Sequence, residues 1–89
     1  MPSIYKFLDS KITLSATANT VNLGTLIRLC HDGAGSTSHV ITQKYANNAT
    51  VATFTILAQG EMIIEKKSTD TLIVDSGTDV TANRIAYKN

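Results

Sequence analysis

Thr50-Val51-Ala52-Thr53-Phe54-Thr55-Ile56-Leu57-Ala58-Gln59-Gly60-Glu61-Met62-Ile63-Ile64-Glu65-Lys66-Lys67 is the stretch whose reading decides the fold. Two runs rich in β-branched and aliphatic residues flank Gln59-Gly60-Glu61. Such side chains pack well on a pleated surface, and they alternate between its two faces. Gly60 suits a tight turn because it lacks a Cβ. If residues 59–61 form the loop of a hairpin, Ala58 faces Met62, Ile56 faces Ile64, and Phe54 faces Lys66. Ala52, Phe54, Ile56, Ala58, Met62 and Ile64 then share one side. A shorter loop would set Phe54 against Glu65 and mix apolar with charged groups on both faces. Register follows the hydrophobic pattern, so the first alternative is expected. On the outer face Thr53, Thr55, Glu65 and Lys67 are polar, while Leu57 and Ile63 would meet near the tip. An exposed aliphatic pair there marks a contact surface, unless another loop lies over it.

Outward from this core signal, Thr25 to His31, Val40 to Tyr45, Thr71 to Val74 and Val80 to Tyr87 read as further strands. Asp32-Gly33-Ala34-Gly35-Ser36, Ala46-Asn47-Asn48 and Asp75-Ser76-Gly77 supply turns between them. Ile12, Leu14, Ala16 and Ala18 alternate with Thr13, Ser15 and Thr17, the pattern of a half-buried strand. Gly24 reads as a bulge or turn. Tyr5 and Phe7 share one face of a segment whose other face carries Ile4, Lys6 and Leu8, so residues 1–10 read as a strand covered on two sides or as a docking arm. The expected architecture is all-β: one domain spanning residues 1–89, a small antiparallel β-sandwich or jelly-roll-like barrel of seven to eight short strands.

Composition narrows the class. A chain of 89 residues with 6% aromatic content and no Trp can build only a thin, aliphatic core. Small domains of this kind lean on disulfides, metals or association. Cys30 is the only cysteine, so no internal disulfide forms. The net charge of +1 comes from Lys and Arg interspersed with Asp and Glu, without the basic stripe that nucleic-acid binding requires. No apolar run is long enough for a membrane span. The first residues lack the pattern of a secretory leader, so synthesis in a cytoplasm is expected.

Residues that could carry chemistry are few. Cys30 and His31 are adjacent, so in a strand they point to opposite faces and make no nucleophile pair; Cys30 reads as a buried structural thiol. His31 and His39 flank the glycine-bearing loop and, with Asp32, could hold a metal, but the loop is long enough to leave them apart. They read as surface histidines, and no metal or cofactor is expected. Asp70, Asp75 and Asp79 could gather around calcium, yet residues 75–79 also form an ordinary turn without the ligand spacing of a calcium loop. Glu61 and Glu65 lie among solvent-type residues with no cleft in prospect. The expectation is therefore a non-enzymatic protein.

Ser38-His39-Val40-Ile41-Thr42, Thr53 to Glu61 and Ile63 to Leu72 together resemble small virion structural proteins of tailed phages, in the style of those from marine and cyanobacterial phages. The pattern is a strand ending in Gly60-Glu61, then Ile64-Glu65-Lys66, a polar step, and Thr69-Asp70-Thr71-Leu72. This resemblance implies an assembly role: a capsid decoration or cement protein on the virion surface, bound to the major capsid protein as a homo-oligomer such as a trimer. Neck, tail and fibre positions suit it as well. Tyr5, Phe7, Leu57 and Ile63 are the candidate partner-contact residues. Rival readings are a receptor- or carbohydrate-recognition module, which would have to use Tyr5, Tyr45 or Tyr87, and a single-stranded nucleic-acid binder.

Overall fold

In the computed structural model, which describes residues 5–87, the strands are β1 (Tyr5–Phe7), β2 (Ile12–Thr13), β3 (Leu26–His31), β4 (His39–Lys44), β5 (Thr50–Ile56), β6 (Glu61–Glu65), β7 (Thr71–Val74) and β8 (Val80–Tyr87). They form two antiparallel sheets packed as a sandwich. One runs β1-β8-β3-β6, with β2 sharing the β1 edge of β8; the other runs β5-β4-β7. Among the described residues there is no helix. The expected docking arm is split by this result. Residues 1–4 lie outside the described residues, whereas Tyr5 pairs with Tyr87 and Phe7 with Ile85 in the sheet.

Alternation explains the core. Ile27 and Leu29 of β3, Ile41 of β4, Ile56 of β5, Leu72 and Val74 of β7, and Val80 and Ala82 of β8 point between the sheets and are buried. Leu14 and Val21 close the ends, and Ile12, Phe54, Met62 and Ile64 pack against the cluster while half-buried. Removing these aliphatic groups from water is the main stabilising force, at about 25 cal/mol per Å² of apolar area.

The expected β5–β6 hairpin does not form. Phe54 pairs with Ile41 and Ile56 with His39 in one sheet, while Met62 pairs with Leu29 and Ile64 with Ile27 in the other. A turn closed by Gly60 N–H donating to Leu57 O at 2.8 Å, with Gln59 at φ 62°, carries the chain across from sheet to sheet. Phe54, Ile56, Met62 and Ile64 do face one interior, but from opposite layers of it. Alternation marks the inward side and is silent on whether a neighbour lies beside a strand or across the core. Lys66, expected opposite Phe54, is instead buried just beyond β6, where its ammonium donates to the carbonyls of Lys67 and Ser68.

The Ile12–Ala18 strand is also shorter than expected. After β2 the chain leaves β8, and Ser15 to Asn19 runs along the outer edge of β7. Val74 N–H donates to Ser15 O, and Asn19 and Leu72 exchange hydrogen bonds. Val21, Asn22 and Leu23 follow at φ 55°, 55° and 59°, a left-handed turn made wholly of residues with a Cβ. The Asn19 side chain accepts from Val21 N–H at 2.7 Å, and Asn22 donates to Asp9 at 2.9 Å. Gly24 then tucks under Arg84 and Ile27, where an added Cβ would come within 2.3 Å of Arg84 Cγ.

Candidate functional site

Two features stand out, at opposite levels of burial. The first is a cluster at the end of the sandwich where β3 leaves one sheet and β4 enters the other. His31 is the last residue of β3, in phase with Ile27 and Leu29; His39 is the first of β4, in phase with Ile41. Both imidazoles therefore point inward, contrary to the expected surface placement, with exposures of 1% and 5%. Their rings stack with centroids 5.4 Å apart, so the intervening loop does not separate them. The expected third partner, Asp32, is engaged elsewhere, accepting from Lys11 Nζ at 2.9 Å and from the Thr81 hydroxyl at 3.2 Å. The Lys11 bond, with help from Thr81, holds its carboxyl below the usual range.

Asp79 takes the place expected for Asp32. Its Oδ2 lies 3.1 Å from His39 Nε2 and 3.9 Å from His31 Nε2. Its backbone carbonyl accepts from the amides of Asp32 and Gly33 at 3.0 and 3.2 Å. Gly33 is needed there, because an added Cβ would stand 2.1 Å from Asp79 Oδ1. On the other flank, His39 Nδ1 donates to Asp75 Oδ1 at 2.8 Å, and Asp75 Oδ2 accepts from Val40 N–H. Carboxylates only accept, so both nitrogens of His39 carry protons in this arrangement. The bond to Asp75, followed by that to Asp79, raises the His39 pKa, and His39 lowers that of Asp75. His31 donates from Nε2 to the Thr37 carbonyl at 2.9 Å, which leaves its buried Nδ1 without a hydrogen-bond partner.

The second feature is an open flank. β5 and β6 are the outer strands of their sheets on the same side of the sandwich, joined by the exposed turn at Leu57. A groove of about 200 Å³ runs between them, lined by Thr55, Ile56, Leu57, Gly60, Glu61 and Met62. Thr50 to Leu57 contains no charged residue and no Pro. Natural edges normally carry such guards, because unpaired backbone donors and acceptors recruit further strands. β7, by contrast, is covered by residues 15–19.

The candidate contact residues divide between these surfaces. Leu57 is 69% exposed at the flank and does not meet Ile63, which sits opposite Arg28 in the larger sheet. Tyr5, Phe7 and Ile63 all lie on the outer face of that sheet, and the Arg28 guanidinium stands over the Phe7 ring at 5.7 Å. Cys30 lies on the same face, half-buried rather than buried. Tyr45 is exposed above a shallow depression with Asn47, Thr69 and Asp70, and the Lys67 ammonium lies 5.9 Å over its ring. No family model, curated protein or solved structure matches the chain.

Proposed function

We propose that this chain is a non-enzymatic structural protein of a tailed-phage virion, a capsid decoration or cement protein that binds the outer surface of the major capsid protein lattice as a homo-oligomer. The observation that supports this most is the unguarded edge of β5, a seven-residue strand exposed along most of its length and free of charge. In an isolated domain such an edge is an aggregation hazard, whereas in an assembly it is covered. Strand addition there supplies backbone hydrogen bonds between copies. The outer face bearing Tyr5, Phe7 and Ile63 supplies apolar area against the shell, with Leu57 as a second anchor. Clamping neighbouring capsid subunits in this way raises the barrier to opening the head.

Quantitative mass spectrometry of purified particles tests the reading. A copy number comparable to that of the major capsid protein is expected. Recovery at a handful of copies would move the assignment to the neck, tail or a fibre, where a receptor- or carbohydrate-recognition role becomes the better reading. Complete absence from particles would end it.

A further inference from the structure

We propose that His31, His39 and Asp79 form a binding site for a divalent first-row transition cation of the zinc or cobalt class, which clasps the two sheets together at one end of the sandwich. One donor atom from each residue lies within 4.8 Å of the others. Bonds from zinc to imidazole nitrogen and carboxylate oxygen are about 2.0–2.2 Å, so a contraction on the order of 1 Å completes the site. Of the three ligands Asp79 alone lies outside the strands, at the end of the turn 75–79 that carries Gly77 at φ 74°. Two imidazoles with one carboxylate select zinc, cobalt or nickel over magnesium and calcium, which prefer all-oxygen surroundings.

A further observation points to a ligand rather than to packing. Asp75 fixes His39 through Nδ1 and so turns Nε2 toward Asp79 and His31, the arrangement by which a carboxylate orients a metal-binding imidazole. The cation would take the place of the protons now directed at Asp79 and Thr37. Asp79, about one-third exposed, leaves a side of the site open for water as a fourth ligand. The function of the clasp follows from its placement. His31 ends β3 and Asp79 immediately precedes β8 in one sheet, and His39 begins β4 in the other. A chain that has only one cysteine gains its cross-sheet tie from metal instead.

Titration of the purified full-length chain with Co²⁺ tests this, independently of any role in a particle. One equivalent should bind with visible d–d absorption, and Zn²⁺ should displace it and raise the melting temperature by several degrees. Asp75→Asn, a change at a half-exposed positioning residue, should keep the fold and weaken Co²⁺ binding about tenfold. His39→Gln should abolish the absorption, with circular dichroism confirming a folded chain; Asp32→Asn should leave it intact. The proposal is overturned if the folded native chain shows neither the band nor the Zn²⁺ shift. It is equally overturned if the band survives His39→Gln, or if Ca²⁺ stabilises the chain and Zn²⁺ does not.

Discussion

Arg84 donates its Nε–H to Asp9 Oδ2 at 3.0 Å, and with the bonds from Leu8 N–H to Arg84 O and from Asn83 Nδ2 to Asp9 O it ties β8 to the chain segment that separates β1 from β2. The same carboxylate oxygen accepts from Asn22 at 2.9 Å, so the left-handed turn at Val21 to Leu23 is fastened to the same point. Burial pushes the Asp9 carboxyl up, but the Asn22 and Arg84 bonds together outweigh it and leave its pKa lowered.

A depressed carboxylate pKa gives the pH dependence its sign. The stabilisation from Asp9 is fully present above the unfolded value of about 3.9 and is lost as pH falls through the lower folded value. Asp9→Asn should destabilise the native chain by about 1 kcal/mol near neutrality. Urea denaturation of both proteins should show that difference shrinking from about pH 4 downward.

Gly24→Ala should be among the more damaging single-methyl additions. The new Cβ would stand 2.3 Å from Arg84 Cγ and 2.7 Å from Ile27 Cδ1, and Arg84 cannot retreat without releasing Asp9. Overpacking of this kind typically costs about 1–3 kcal/mol. A thermal melt that matches the native chain would contradict it.

Leu23→Gly should act in the opposite sense. Leu23 is held at φ 59° with its side chain 59% exposed, so it contributes strain and little burial. Relief of the left-handed conformation, reduced by the greater freedom of glycine in the unfolded chain, should give a gain of roughly 0.5 kcal/mol.

Leu29→Ala removes a wholly buried side chain at the centre of β3. A cost of about 3 kcal/mol is expected, a large part of what a domain of this size can muster. Chemical denaturation should show a lower midpoint at unchanged slope.

Val51→Lys together with Thr53→Lys places charge on the free edge of β5. If copies join through that edge, the double variant should run as a monomer in analytical ultracentrifugation at concentrations where the native chain associates, with its circular dichroism unchanged.

The strands themselves were readable because β-branched runs between turn residues leave few other choices. β7 and β8 fall where their residues place them, as do β3 to β6 within two residues. What Phe54 and Met62 could not reveal is which layer each would join, since both satisfy the same alternation. At the His31–His39 cluster a usable signal was present: each imidazole continues the inward phase of its own strand, and the two strands are consecutive. Asp79 lies 40 residues beyond His39, and no local pattern encodes a meeting over that separation. The burial of Lys66 was equally hidden, because its carbonyl partners at Lys67 and Ser68 depend on how the chain leaves β6.

Tyr5 lies directly opposite Tyr87, so the two ends of the described chain leave from one corner. Tension applied between them would peel β1 from β8 rung by rung, as a zip opens, rather than shear all its bonds at once. The fold should yield there at low force, and the interior would feel the load last.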